Sequence, residues 1–265
     1  MKAWGFSAVS DSNRETSEDA TTDLPSGLGD GASRDASGLT ICQRWRNWSG
    51  MPVSRPNRRA TVKERSRAQI LDAATRLFAV HGPECVTFAD LARAAGISRP
   101  LIYFHFKDRD QLFHEAVARA NQMLYDRFAG AAAGQGTGRE QIVAIGRAYQ
   151  AFFQENPREF ALLCCYEAKP SRPERLSPVE KQILQHHAAI MELMTAVLKR
   201  GRRDGSLRPN LGDPLKTALC LWAFSNGLLQ ISATQGCGLE QEHGVKPAAL
   251  IAFGFSLLEA ALAKR

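Results

Sequence analysis

Apolar residues recur at spacings of three and four along nearly all of the chain after Thr61, and this helical period constrains the fold most. Ile70, Leu71 and Phe78 share one face of a predicted helix over 64–81. Prolines and glycines separate the further predicted helices, which cover 88–95, 99–105, 108–128, 139–155, 157–168, 178–203, 213–233 and 246–263. No stretch alternates apolar and polar residues for long enough to indicate a sheet, so the sequence predicts an all-α protein.

The N-terminal segment differs from the rest in composition. Residues 1–40 are rich in Ser, Asp, Gly and Thr, and contain few large apolar side chains. Such a segment cannot bury enough surface to offset the entropy lost on ordering, so residues 1–57 are predicted to be a disordered extension. Met51 begins a stretch that is typical of a natural start, which leaves open that residues 1–50 are not translated in the native protein.

The segment 87–107, TFADLARAAGISRPLIYFHFK, contains two short predicted helices joined by a glycine-containing turn. Thr87 and Asp90 have the spacing of a capping box, and Ser98 is the predicted N-cap of the second helix. Gly96 can adopt a positive φ in the turn between them. This arrangement is typical of a helix-turn-helix, whose second helix lies in the major groove of DNA.

The stretch from Arg65 to Leu112 closely resembles the DNA-binding domain of the TetR/AcrR family of bacterial transcriptional regulators. The resemblance rests on ILDAATRLFAVHG, VTFADLARAAGIS and IYFHFKDRDQL. It implies three N-terminal DNA-binding helices, here 58–110, and a divergent helical domain, here 111–265, that binds a small ligand and dimerises. The family pairs its last two helices across a homodimer, and a two-fold protein suits a palindromic DNA site.

The same resemblance implies a set of DNA-contacting residues. They are Thr87, Tyr103, His105 and Lys107 on the phosphate side, Arg99, Pro100 and Leu101 at the base edges, and Ser98 at the start of the helix. The sequence departs here from the commoner family pattern of a small residue followed by Thr. Arg99 can form two hydrogen bonds to guanine, whereas Leu101 can only make apolar contact, for which a thymine methyl is the obvious partner.

Six basic residues precede or begin the first predicted helix. They are Arg55, Arg58, Arg59, Lys63, Arg65 and Arg67. The sequence leaves two interpretations open: a solvated tail, or an arm that follows the DNA backbone or enters a minor groove.

The C-terminal half is rich in large apolar side chains that could form either a core or a ligand cavity. The candidate cavity residues are Phe152, Phe153, Tyr166, Met191, Met194, Trp222 and Asn226. Because few of them are polar, we expect an apolar effector.

Other kinds of function have little support in the sequence. No CxxC pair, zinc spacing, HExxH, Walker loop, GxGxxG or Ser/His/Asp set is present, so we expect no cofactor, no metal and no enzymatic activity. Cys164-Cys165 and His186-His187 leave a redox or metal site open, although buried thiols and surface histidines are the simpler interpretation. The most apolar stretches, 215–233 and 248–263, are interrupted or too short for a membrane span. We therefore expect a cytoplasmic protein with reduced cysteines.

These observations predict a DNA-binding transcriptional regulator. The leading hypothesis is a ligand-responsive repressor that binds a palindromic operator as a dimer. A transcriptional activator or a ligand-independent DNA binder is the first alternative, and a small helical enzyme or redox protein built on Cys164-Cys165 is the second.

Overall fold

The computed structural model describes residues 58–168 and 176–264, with the backbone alone for 58–61. Nine α-helices lie in these residues: α1 Arg58–His81, α2 Phe88–Ala95, α3 Arg99–His105, α4 Arg109–Ala132, α5 Gly138–Glu155, α6 Pro157–Glu167, α7 Pro178–Arg203, α8 Pro214–His243 and α9 Pro247–Leu262. A single 3-10 turn, Pro83–Cys85, joins α1 to α2. No strand occurs in the described ranges beyond an isolated bridge between Leu207 and Ala263. The all-α prediction is confirmed, and the prediction for 1–57 falls outside the described residues.

Helix α4 is the central element of the fold. It packs against α5, α6 and α7, and its first turns also contact the 3-10 turn after α1. Its fully buried side chains include Leu112, Phe113 and Val117. The described residues from Ser66 onward form one compact unit, so α4 connects the first three helices to the C-terminal half. The predicted domain division at residue 110 coincides with the first turn of α4, and it stays a prediction.

The start of α5 lies unusually close to the end of α7. A Cβ atom placed on Gly138 would be 2.1 Å from the backbone nitrogen of Gly201, so only glycine allows this approach. The backbone N–H of Gly138 donates to a carboxylate oxygen of Asp204 at 2.8 Å, and that of Arg139 donates to Ser206 Oγ at 3.0 Å. These bonds occupy donors at the N-terminus of α5 that have no partner within the helix.

Helix α8 extends ten residues beyond its predicted end at 233. The predicted end at 233 was wrong. Gly236 and Gly238 favour a break in a single helix, but α8 continues through both of them. In the structure, a Cβ on Gly236 would lie 2.6 Å from Pro247 Cγ, so this glycine allows the start of α9 to pack closely against α8. The helix ends instead at Gly244, which adopts φ +65 as a left-handed C-cap.

A membrane-spanning helix must combine length with hydrophobicity, and the described helices differ in both. No single one of them is long and apolar enough to cross a membrane, whereas α8 and α9 together reach both limits with a bend of 104° between them.

Candidate nucleic-acid interface

The turn between α2 and α3 has the local geometry that the sequence predicts. Thr87 Oγ1 accepts from the backbone N–H of Asp90 at 3.2 Å, and an Asp90 carboxylate oxygen accepts from the N–H of Thr87 at 3.1 Å. These bonds complete the capping box, and the Thr87 hydroxyl and the Thr87 N–H, which both donate to the carboxylate, hold the pKa of Asp90 below its usual value. Gly96 ends α2 at φ +66, where an L side chain would be strained. Hydrogen bonds therefore satisfy backbone groups at both ends of α2, before the turn that leads to α3.

One face of α3 packs into the core. Ile102 is fully buried, and Phe106 directly after the helix is 1% exposed. With about 100° of rotation per residue, the positions two before and two after Ile102 point away from the core. Pro100 and Phe104 occupy these positions, and both are exposed. Helix α3 therefore presents its opposite face outward.

Tyr103 is positioned by a ring contact with α2. Its ring meets that of Phe88 at a centroid distance of 4.8 Å and an angle of 60°, while 56% of the residue stays exposed. Packing against one side of the Tyr103 ring limits its rotation. The exposed part of the residue leaves enough surface for a ligand to contact it. This combination suits a hydroxyl that donates to a phosphate.

His105 and Lys107 differ in their surroundings. His105 is half-buried, and its Nε2 lies 2.8 Å from Ser66 Oγ on α1. Lys107 is exposed just before the N-cap of α4, and its backbone N–H donates to Gln111 Oε1 at 2.9 Å. Asp108 caps α4 by accepting from the N–H of Gln111 at 2.8 Å. Hydrogen bonds therefore fix the backbone at Lys107, from which the ammonium group extends.

Ser98 occupies the N-cap position of α3, but its side chain makes no capping hydrogen bond. The predicted N-cap position is confirmed, and the capping bond is missing for a local reason. The second helical residue, Pro100, has no N–H, and the N–H of Leu101 donates to the backbone oxygen of Ser98 at 3.1 Å. The exposed Ser98 hydroxyl is thus not used within the cap.

Arg67 does not belong to a free basic run. It forms an ion pair with Glu115 of α4, and its guanidinium lies 5.2 Å from the ring centroid of Phe106. Lys63 and Arg65 are exposed on α1. The side chains of the earlier arginines lie outside the described residues. The structure thus assigns Arg67 to the packing of α1, α3 and α4.

The predicted DNA-contacting residues differ in how far they are exposed. Thr87, Ser98, Arg99, Pro100, Tyr103 and Lys107 are exposed, while Leu101 and His105 are half-buried. Their contacts with DNA stay a prediction. The sequence analysis omitted Phe104, which is 68% exposed. Its position two residues after the buried Ile102 is the signal that could have identified it.

Side-chain contacts join α1 to α4. Arg119 Nη1 donates to Asp72 at 2.7 Å and its Nη2 donates to Thr75 Oγ1 at 3.2 Å. The rings of Phe78 and Phe113 meet edge to face with centroids 5.7 Å apart. These contacts tie α1 to α4.

A small cavity of about 50 Å³ lies among α4, α5, α7, α8 and α9. Its lining is mostly apolar and includes Phe128, Ile145, Tyr149, Met194, Trp222, Ser225 and Phe255. Of the seven predicted cavity residues only Met194 and Trp222 line it. Phe152 is fully buried in the core, Asn226 is buried beside the lining, and Phe153, Tyr166 and Met191 are half-buried elsewhere. The helical period places all seven on helices but cannot say which ones converge.

A chain of buried polar groups starts at the cavity wall. Tyr149 Oη donates to Asn226 Oδ1 at 3.0 Å, and Asn226 Nδ2 donates to Glu167 Oε2 at 2.8 Å. Burial raises the pKa of Glu167, and the bond from Asn226 offsets part of that rise. Three helices, α5, α6 and α8, are thereby tied together.

Burial shifts the pKa of one member of the cysteine pair and of one member of the histidine pair. Burial raises the pKa of Cys164 to about 12, so its thiol stays protonated and a poor nucleophile. Burial and the neighbouring His186 lower the pKa of His187. Within residues 58–168 and 176–264, no group of three or more Cys, His, Asp or Glu side chains could hold a metal ion.

The fold and the outward-facing α3 define a helix-turn-helix protein with a helical C-terminal half. The sequence profile of "Bacterial regulatory proteins, tetR family" matches residues 70–116, and that of "Tetracyclin repressor-like, C-terminal domain" matches residues 142–256. The chain therefore belongs to the TetR family, and it is a DNA-binding transcriptional regulator.

The relatives that match over about 50 residues are more similar than those that match over most of the chain. The HTH-type transcriptional regulator AcrR of Shigella flexneri is 44% identical over 52 residues, which are 20% of this chain and 24% of that protein. TtgR, an HTH-type transcriptional regulator of Pseudomonas putida, is 24% identical over 177 residues, covering 63% and 80% of the two chains. A transcriptional regulator from Saccharomonospora viridis, solved in complex with choline, is similar in fold with a TM-score of 0.62. It is 20% identical, and the match covers 76% of this chain and all of that one.

Proposed function

We propose that this protein is a repressor that binds a palindromic operator as a homodimer and releases it when a small ligand occupies the C-terminal half. The observation that carries the proposal is the outward face of α3. Arg99 and Tyr103 are exposed there, Lys107 is exposed two residues after the helix ends, and the Phe88 ring contact positions Tyr103. An exposed arginine on α3 and an exposed lysine just after it suit a polyanion, and Arg99 adds a group that can distinguish guanine.

The dimer is supported by the surfaces of the last two helices. Large apolar side chains that are more than 40% exposed on α8 and α9 are Leu215, Leu219, Phe224, Ile231, Phe253 and Leu257. Exposed apolar surface of this kind is typical of a protein interface. Pairing of α8 and α9 with a second copy would cover it and would place two α3 helices for two half-sites, one DNA turn or a multiple apart.

The ligand is proposed to be small and mainly apolar. The cavity lining supports this, because Tyr149, Ser225 and Glu259 are the few polar residues among apolar ones. At about 50 Å³ the cavity is far smaller than the ~300 Å³ or more of a typical ligand site, so a ligand would have to separate α5, α8 and α9. The choline complex of the similar fold supports only the idea that such a fold can hold a small molecule.

Helix α4 is the proposed route from ligand to DNA. It contributes Phe128 to the cavity lining at one end, and at the other it holds α1 through Arg119 and Phe113. A ligand that favours a different position of α4 would shift the population toward a spacing of the α3 helices that does not fit the operator. We place this regulator in the cytoplasm, where its DNA target is found.

Binding-site selection from random duplex DNA, followed by gel shifts, tests the proposal. We expect a two-fold symmetric site, weaker binding by Arg99→Ala, and no change for Arg158→Ala, an exposed arginine at the start of α6. Failure to select any duplex at low salt would refute DNA binding. Selection of an asymmetric site bound by a monomer would refute the dimer.

A further inference from the structure

The most outward positions of α3 carry no hydrogen-bonding side chain. Pro100 and Phe104 lie opposite the buried Ile102, and Phe104, at 68%, is more exposed than any other large apolar residue that the structure describes. Leu101 borders them and is half-buried. The part of α3 that would enter the groove first is thus an apolar ridge, defined here as Pro100, Leu101 and Phe104.

The ring of Phe104 is positioned by its neighbour. It meets the imidazole of His105 edge to face, with centroids 5.3 Å apart and an interplanar angle of 80°. His105 Nε2 in turn lies 2.8 Å from Ser66 Oγ on α1. A half-buried, hydrogen-bonded imidazole thus supports one edge of the phenyl ring, while most of the ring's surface stays in solvent.

The charged and polar groups of α3 lie to the side of this ridge. Arg99 and Tyr103 are both about 100° or less from Pro100 around the helix, on the side away from Leu101. Lys107 follows at the end of the segment. Groups that suit phosphates and guanine therefore flank an apolar centre, and this distribution fits duplex DNA better than an uncharged protein surface.

The DNA major groove presents only one apolar group, the C5 methyl of thymine. We propose that the apolar ridge recognises thymine methyl groups and that Phe104 is the specificity-determining residue of α3. This inference rests on the proposed operator binding, and it specifies part of the operator sequence. Each half-site carries thymine where Phe104 and Leu101 meet the base edges. Covering Phe104 with a methyl group also removes from water an apolar ring that the free protein leaves exposed.

Thymine-to-deoxyuridine substitution tests this directly, because it removes the methyl group and leaves base pairing and all hydrogen-bonding groups unchanged. The selected operator is remade with one deoxyuridine at a time, and the dissociation constant is measured for the full-length protein. We expect one or two positions in each half-site to lose about fourfold in affinity, the value of one buried methyl-sized group. Other thymines should tolerate the change.

The same series with Phe104→Ala assigns the effect to the side chain. The variant should bind thymine and deoxyuridine operators equally at the position that Phe104 contacts, while keeping the salt dependence of the wild type. Val80→Ala, which shortens an exposed apolar residue on α1, should keep the wild-type methyl sensitivity. Circular dichroism confirms that both variants fold.

The outcomes separate the two proposals. An operator that is selected and bound, yet tolerates deoxyuridine at every position, overturns the methyl readout alone. So does a Phe104→Ala variant that keeps every deoxyuridine penalty. Failure to select any operator overturns the proposed function, and the methyl readout with it.

Discussion

The carboxyl group of Glu167 provides the sharpest prediction on stability. It lies at the end of α6 and is mostly buried, and its only hydrogen bond within the described residues comes from Asn226 Nδ2 at 2.8 Å. Burial raises the pKa of this group above its usual value because the charged form loses hydration. Glu167→Gln keeps the volume and the acceptor oxygen but cannot ionise.

The sign of the pH dependence follows from linkage. The pKa of Glu167 is higher in the folded protein than in the unfolded chain, so folding favours the protonated form. Its contribution is most favourable below the unfolded pKa, and it is lost as the pH rises toward the folded pKa. Each unit of difference amounts to about 1.4 kcal/mol at high pH. Glutamine removes this cost, and a gain of about 1 kcal/mol corresponds to a rise in Tm of roughly 2–4 °C for a protein of this size.

Thermal unfolding at about pH 4 and pH 8 measures the effect. Glu167→Gln should unfold at a higher temperature than the wild type at the higher pH, and at a similar temperature at the lower pH, where the wild-type carboxyl is mostly protonated. Glu242→Gln, at an exposed residue near the end of α8, is the matched control and should change neither value. A Glu167→Gln protein that is equally or less stable at pH 8 would refute the reasoning, because it would mean that the carboxylate is stabilised in place.

Further predictions concern DNA, packing and assembly. Arg99→Ala should cost about 1–3 kcal/mol of DNA-binding free energy and relax the base preference at one operator position. Lys107→Ala should weaken binding to all sequences evenly and lower the slope of log binding constant against log salt concentration by about one. Gel shifts across salt concentrations and mutant operators distinguish the two variants, and identical behaviour would contradict the placement of α3. Gly138→Ala should destabilise by about 1–3 kcal/mol or more in chemical denaturation, because its Cβ would overlap the α7 backbone, while Gly130→Ala, with open space, should not destabilise. Phe224→Asp, on the exposed face of α8, should weaken dimerisation at least tenfold, or about 1.4 kcal/mol, in sedimentation experiments, and an unchanged dimer would exclude that face.

The helix-turn-helix could be predicted well because its determinants are local. The capping pair Thr87 and Asp90, the positive-φ position Gly96 and the buried Ile102 all lie within 16 residues, and α2 and α3 have their predicted bounds. The same local rule placed the N-cap at Ser98 correctly but not its capping bond, since a proline at the second helical position removes one of the donors that a serine cap would accept from.

Sequence alone determined the elements, their type and the outward helix, because capping, helical period and turn residues act over a few residues. Only the tertiary structure decided that α8 continues through Gly236 beneath Pro247, and that Arg67 pairs with Glu115 rather than extending a basic arm. It also decided that Met194 and Trp222, but not Phe152 or Tyr166, reach the cavity. These features depend on which helix faces meet across long chain separations, and no local period carries that information.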